Sequence, residues 1–144
     1  MNLAIIGYGK MGRLIEQLAP EYGFAVLSRL DSSNNTNAKG ITAENFKGID
    51  VAVDFSIASA VAQNIERLAE LGINAVVGTT GWVQQLEQAR VAVLKSKIGL
   101  VWSPNYSVGV NIFLQREFLF QTFTRATHVA ISLVNKTSEC ARIL

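Results

Sequence analysis

An α/β fold with a doubly wound parallel sheet is what this sequence predicts, and three observations predict it. Apolar runs short enough to be buried strands alternate with stretches whose apolar residues recur at helical spacing. The first such run, residues 2–6, passes directly into Gly7-Tyr8-Gly9-Lys10-Met11-Gly12 and then into a helical stretch. Further short loops follow the carboxyl end of every strand, the edge where open α/β sheets bind ligands.

The elements follow in order. After the strand at about 2–6, a helix at about 11–19 places Leu14, Ile15, Leu18 and Ala19 on one face, and Pro20 and Gly23 close it. Phe24-Ala25-Val26-Leu27 starts the second strand. The Ser- and Asn-rich stretch from Asp31 to about Gly40 reads as a loop. Residues 51–55 form the third strand. Val61, Ile65, Leu68 and Leu71 mark a helix over 58–71, which Gly72 stops. Ala75-Val76-Val77 is the fourth strand. A helix at about 82–95 turns Val83, Leu86 and Leu94 inward, and residues 98–102 form the fifth strand. Continuous apolar strands, each followed by an amphipathic helix, imply a parallel sheet covered on both faces. Right-handed crossovers then make it a Rossmann-type doubly wound sheet.

Composition narrows the class. The 144 residues are 49% hydrophobic and 17% charged, enough for one domain with a core and unlike a disordered chain. A net charge of +2 without a basic cluster argues against a nucleic-acid partner. Cys140 is the single cysteine, which excludes a disulfide framework and fits a reducing compartment. No signal peptide precedes the first strand, and the apolar runs are too short to span a bilayer. A cytoplasmic protein with no membrane partner is expected. No metal-ligand spacing occurs, so no metal site is expected.

The first glycine loop has the chemistry of a phosphate cradle. Gly7 permits a sharp turn out of the strand. Gly9, lacking a Cβ, lets a pyrophosphate approach the backbone, and Gly12 lets the helix lie close to the strand. The amide groups and positive dipole end of that helix then face the phosphates. A purely structural glycine turn is the alternative. Asp31 follows Gly12 by about 20 residues, which suits a carboxylate accepting hydrogen bonds from the adenosine ribose. The alternative is a turn-forming Asp before Ser32-Ser33. A carboxylate there disfavours a 2′-phosphate and leans toward NADH, although Ser32, Ser33 and Arg29 soften the preference.

Three later loops carry a more specific pattern. Asp54-Phe55-Ser56, Gly78-Thr79-Thr80-Gly81 and Pro104-Asn105-Tyr106-Ser107-Val108-Gly109-Val110-Asn111 resemble, in order and spacing, those of the 4-hydroxy-tetrahydrodipicolinate reductase (dihydrodipicolinate reductase) family. The resemblance covers roughly residues 2–115. It implies NADH or NADPH as cofactor and a cyclic unsaturated dicarboxylate of lysine and diaminopimelate biosynthesis as substrate. It also implies a second, substrate domain and a homo-oligomer. By position, Gly7, Tyr8, Gly9, Lys10, Met11 and Gly12 hold the pyrophosphate and Asp31 the ribose. Phe55 and Ser56 border the cofactor. Gly78, Thr79 and Thr80 line its nicotinamide end, and Ser103, Pro104, Asn105 and Tyr106 lie near the nicotinamide where two domains meet. Small residues and backbone amides there permit close packing against a flat ring, and Asn105 offers an amide for polar recognition. A tight turn capped by threonine is the alternative for Gly78–Gly81.

From Arg116 on, the chain shows no specific match to the family. There the family carries a His-His-x-x-Lys signature and a Ser-Gly-Thr loop, which supply the general acid and the grip on substrate carboxylates. At the expected distance this sequence reads Val134-Asn135-Lys136-Thr137-Ser138-Glu139-Cys140, and His128 is its single histidine. A helix and a strand are expected at about 110–124 and 128–134. The division expected is a dinucleotide-binding domain over 1–111 and a remnant or altered start of a substrate domain over 112–144. A lone His128 is more often structural, Lys136 solvated, and Cys140 lacks an evident base. No catalytic residue is therefore assigned. Apolar side chains around Phe113, Leu114, Phe118, Leu119 and Phe120 suggest self-association through 112–134. Three readings stand: a reductase whose full activity needs residues not found here, a catalytically silent dinucleotide-binding module, and an interaction subunit with a merely structural glycine loop.

Overall fold

In the computed structural model, which describes residues 1–107, every strand pair is parallel and the sheet order is β2-β1-β3-β4-β5. The strands are β1 (Asn2–Ile6), β2 (Ala25–Leu30), β3 (Val51–Asp54), β4 (Asn74–Val77) and β5 (Leu100–Trp102). The helices are α1 (Lys10–Leu18), α2 (Ala58–Glu70) and α3 (Leu86–Ser96). Chain order reverses at β1, which has β2 on one side and β3 on the other. This is the switch point where such sheets open a crevice. Register aligns Ile6 with both Leu30 and Asp54, so the loops starting at Gly7, Asp31 and Phe55 leave the sheet side by side.

Side chains alternate between two cores, as a strand's period of two requires. Ala4, Ile6, Ala52, Ala75 and Val77 face the core beneath α2 and α3. Leu3, Ile5 and Val51 face the α1 side together with Ala19. The predicted fold class, a Rossmann-type α/β domain with a parallel sheet, is what the chain adopts.

Several local expectations are corrected. Strand β2 runs on to Leu30, through Ser28 and Arg29. It is an edge strand, and an edge tolerates the polar residues that masked it. The stretch after Asp31 is more than a polar loop. It holds a 3-10 turn at Thr36–Ala38, and the chain beyond buries Ala38, Ile41, Phe46 and Ile49 against the sheet. On α1, Ile15 is half-buried but Leu14 and Leu18 are exposed, and Ala19, which opens a 3-10 turn after the helix, is buried. The helix touches the sheet through Gly12 and Ile15, with Ala19 just beyond its end, and the small Gly12 sets the close approach.

The expected inward trio of the third helix is also wrong. Val83 and Leu94 are exposed, Leu86 is half-buried, and Ala89 and Val93 carry the contact. The inward stripe runs instead through Trp82, Leu86, Ala89 and Val93, at ordinary helical spacing but starting one residue before Val83. Trp82, unassigned from sequence, is the largest fully buried side chain among the described residues and packs edge-to-face on Trp102 at 5.5 Å. Its indole N–H finds no acceptor among the described residues.

No helix among the described residues is long and apolar enough to cross a membrane. The expected self-association segment, 112–134, lies outside the described residues, as do His128, Lys136, Glu139 and Cys140 and the elements at 110–124 and 128–134.

Candidate functional site

The crevice begins at three glycines with different tasks. Gly7 has φ +87°, and a Cβ there would lie 2.4 Å from the Phe55 carbonyl. Its amide and that of Tyr8 donate to Leu30 O at 2.8 and 3.0 Å, which welds the turn to the end of β2. A Cβ on Gly12 would meet Gly7 O at 2.7 Å, so this position holds α1 against the turn. A Cβ on Gly9 would meet nothing within 4 Å. Gly9 is thus the glycine whose missing side chain leaves open space rather than avoiding a clash. It is also the N-cap of α1, which has no side-chain cap and no acidic residue in its first turn. The first-turn amides and the dipole of α1 therefore remain available to an anion.

Beside that turn lies a crevice of about 610 Å³. Gly7, Tyr8 and Gly9 form one wall, Asp31, Ser32, Ser33 and Asn35 a second, and Phe55, Ser56, Ile57, Ser59, Gln63 and Asn64 a third. A second hollow of about 480 Å³ continues from Gly9, Lys10 and Met11 to Gly78, Thr79 and Thr80. The two share Gly9, Phe55, Ser56 and Ile57. A Cβ on Gly78 would penetrate the Phe55 ring at 2.2 Å, so glycine is required for that ring to lie across the loop.

Asp31 sits where the sequence argument placed it, at the exposed rim. Its Oδ1 accepts the Ser33 amide at 2.8 Å and the Ser33 hydroxyl at 2.5 Å. Those donors, the hydroxyl first, hold its pKa below the usual carboxylate value. Asp31 therefore shapes the turn before Ser32-Ser33 and also lines the crevice. Arg29 is engaged elsewhere, in an ion pair with Glu16, which also accepts the Tyr8 hydroxyl. The Arg29 contact, then the Tyr8 contact, draws the Glu16 pKa down; the bond to Glu16 pushes Tyr8 up.

The loop of Ser103, Pro104, Asn105 and Tyr106 lines neither hollow. Instead it is tied to the strand that carries the glycine-threonine loop: the Ser103 amide and the Tyr106 hydroxyl both donate to Val77 O, each at 3.1 Å. Burial pushes the Tyr106 phenol up to about 12, so it stays a neutral donor throughout the physiological range. Tyr106→Phe is expected to lower stability by about 1 kcal/mol, the net worth of one hydrogen bond, in urea unfolding followed by circular dichroism. No change in the midpoint would show the bond to be idle.

Sequence reasoning missed Asn35 and Asn64. Asn64 is completely buried on α2, three residues after Val61 and one before Ile65. A polar residue within an apolar helical stripe was the available signal, because a buried amide is retained only with partners.

A parallel sheet reversing at a glycine turn, an uncapped helix start and an acidic rim at the end of the second strand define a Rossmann-type dinucleotide-binding domain. The profile described as "Dihydrodipicolinate reductase, N-terminus" matches residues 1–106. The chain belongs to the dihydrodipicolinate reductase family, as its loops implied. It is 34% identical over 115 residues to the 4-hydroxy-tetrahydrodipicolinate reductase of Christiangramia forsetii, covering 80% of this chain and 46% of that protein. The enzyme of the same name from Archaeoglobus fulgidus is 35% identical over 130 residues, covering 78% of this chain and 49% of that protein. A third, from Thiobacillus denitrificans, is 32% identical over 133 residues, covering 80% and 49%. The chain spans about half the length of the curated relatives it matches.

Proposed function

We propose that this chain is the cofactor-binding part of an NAD(P)H-dependent reductase acting on 4-hydroxy-tetrahydrodipicolinate, in lysine and diaminopimelate biosynthesis. The open space at Gly9, in front of an uncapped helix start and beside Asp31, carries the reading. Residues 7–12 cradle the pyrophosphate, with the first-turn amides of α1 as its donors, since those of Gly7, Tyr8 and Gly9 are already bonded, and Asp31 receives the adenosine ribose hydroxyls. Phe55, Ser56, Gly78, Thr79 and Thr80 take the nicotinamide half. Ser103 to Tyr106 brace that half from behind, through the carbonyl of Val77. When bound, the cofactor supplies a hydride; the residues here bind it, orient it and exclude water from one face of its ring. The name borne by the three relatives supports the substrate.

Residues 1–111 form the cofactor domain, and 112–144 a remnant or altered start of the substrate domain. The protein functions as a homo-oligomer in the cytoplasm, a compartment the single cysteine suits. With one histidine in the sequence and no His-His-x-x-Lys signature, this polypeptide binds cofactor but turns over weakly or not at all. NADH titration by fluorescence together with a steady-state assay on the cyclic dicarboxylate tests both parts. Absence of binding removes the whole reading; turnover at ordinary enzymatic rates removes the second part. A catalytically silent nucleotide-binding module is then the alternative when binding is found without turnover.

Asp31 also sets a preference for NADH. Its carboxylate repels a 2′-phosphate, and Arg29, held by Glu16, does not offset it. Asp31→Ser should narrow the NADH-over-NADPH affinity ratio by about tenfold. Because the Ser33 donors lower the Asp31 pKa, the ratio should hold as pH falls to the usual carboxylate range and collapse only below it. Calorimetric titration of both cofactors reads this, and an unchanged ratio in the variant would acquit Asp31.

A further inference from the structure

The Asp54 carboxylate is 1% exposed and stands between the two hollows without lining either. Its Oδ1 accepts the Ser56 amide at 2.8 Å, the Ser56 hydroxyl at 2.6 Å and the Thr79 hydroxyl at 3.1 Å. Its Oδ2 accepts the Asn64 amide at 2.8 Å. Asn64, itself fully buried, passes the connection on: its Oδ1 accepts Asn35 Nδ2 at 3.1 Å, and Asn35 Oδ1 accepts the Gly40 amide at 3.0 Å. One acidic side chain thus joins the wall that holds Asn35, on the adenosine side, to the loop that holds Thr79, on the nicotinamide side. Every donor aimed at it is satisfied, which is the condition for a buried polar network to be rigid rather than costly.

Resting on the dinucleotide reading above, we propose that Asp54 is a positioning residue that fixes the separation of the adenosine and nicotinamide halves of the crevice. A linked dinucleotide gains from occupying both halves only when their spacing matches its own length. Either half alone has no such requirement. Asp54 therefore acts on the whole cofactor and not on its fragments.

The hydrogen-bond polarity makes this testable. In Asp54→Asn one amide is directed at Asn64 Nδ2, donor against donor, and the Asn35 wall is released from the Thr79 loop. In the exchange D54N/N64D the donor at position 54 meets the acceptor at position 64. The carboxylate now at position 64 still accepts from Asn35. The amide oxygen now at position 54 still accepts from Ser56 and Thr79. The exchange restores every link from Asn35 to Thr79 and gives up only the 3.4 Å bond from Asn64 Nδ2 to Ser56 Oγ, with the charge moved from the end of β3 to α2.

NADH binding to the 144-residue chain is measured by fluorescence, 5′-AMP binding by NMR titration and folding by thermal circular dichroism. The expected result is a loss of NADH affinity of about 10- to 100-fold in D54N, with 5′-AMP affinity within about twofold of the parent. The exchange variant should regain parental NADH affinity. NADH affinity unchanged in D54N overturns the proposal, and so does a proportional loss of 5′-AMP affinity, which marks a merely structural role. A folded exchange variant that stays weak also overturns it, and that variant decides the matter alone should D54N fail to fold. Failure of the parent chain to bind NADH or NADPH is a distinct outcome, which overturns the cofactor reading and this inference with it.

Discussion

Gly9→Asp should abolish measurable NADH binding while leaving the protein at least as stable as the parent. No atom lies within 4 Å of a Cβ at this position, so the fold has room for the side chain. Asp is a better N-cap than Gly by a few tenths of a kcal/mol, and its charge suits the positive end of α1. The same charge then sits where the pyrophosphate must lie. Repulsion between like charges and loss of the open space together should cost more than about 100-fold in affinity. The opposite signs make the prediction sharp: the melting temperature holds or rises as binding disappears. A variant that still binds NADH within about threefold of the parent would remove the phosphate from this helix start, and with it the basis of the proposed function.

Gly7→Ala should act on the fold instead. Its φ of +87° disfavours any side chain, and the added Cβ would lie 2.4 Å from Phe55 C and O and 2.5 Å from Ser56 N. Those atoms are backbone, tied in turn to Ile6 O by the Phe55 amide at 2.8 Å, so they do not yield cheaply. Strain and overpacking together should cost about 3–5 kcal/mol, a large share of a domain's stability. Gly23 is the control, with a similar φ of +78° but no atom within 4 Å of a Cβ. Gly23→Ala should cost about 1 kcal/mol, from backbone strain alone. Urea unfolding of both variants separates the terms. Equal losses would mean that close packing of the turn against β3 contributes nothing.

These two glycines illustrate why much of the site was legible. Gly7, Gly9 and Gly12 occur together in one short stretch, and their spacing carries their tasks with it, because a tight turn and a helix start are local structures. Asp31 follows at a distance set by one helix and one strand. The glycine-threonine loop and the Pro104-Asn105-Tyr106 segment were likewise visible as words in the sequence. How the latter is attached was not, since Tyr106 reaches the Val77 carbonyl across 29 residues of chain. Asn35, Asn64 and Thr79 belong to the same class: each is bonded to a residue far along the chain.

Helix phase divides in the same way. The stripe of α2 was read correctly, with Val61, Ile65 and Leu68 all buried, because that helix is regular from its first turn. Its neighbour was misread, because its buried stripe starts at Trp82 rather than Val83 and continues through Ala89 and Val93 rather than Leu94.

Local chemistry, then, was written in the order of the residues: which stretches are strands, where the glycine turn bends, and which carboxylate stands at the rim. Tertiary structure alone decided that β1 lies between β2 and β3, that Trp82 rather than Val83 enters the core, and that Asp54 joins two distant loops. The physical reason is range. Turn geometry and strand periodicity arise from neighbouring residues, whereas the partner of a buried polar group is settled only when the whole sheet has closed around it.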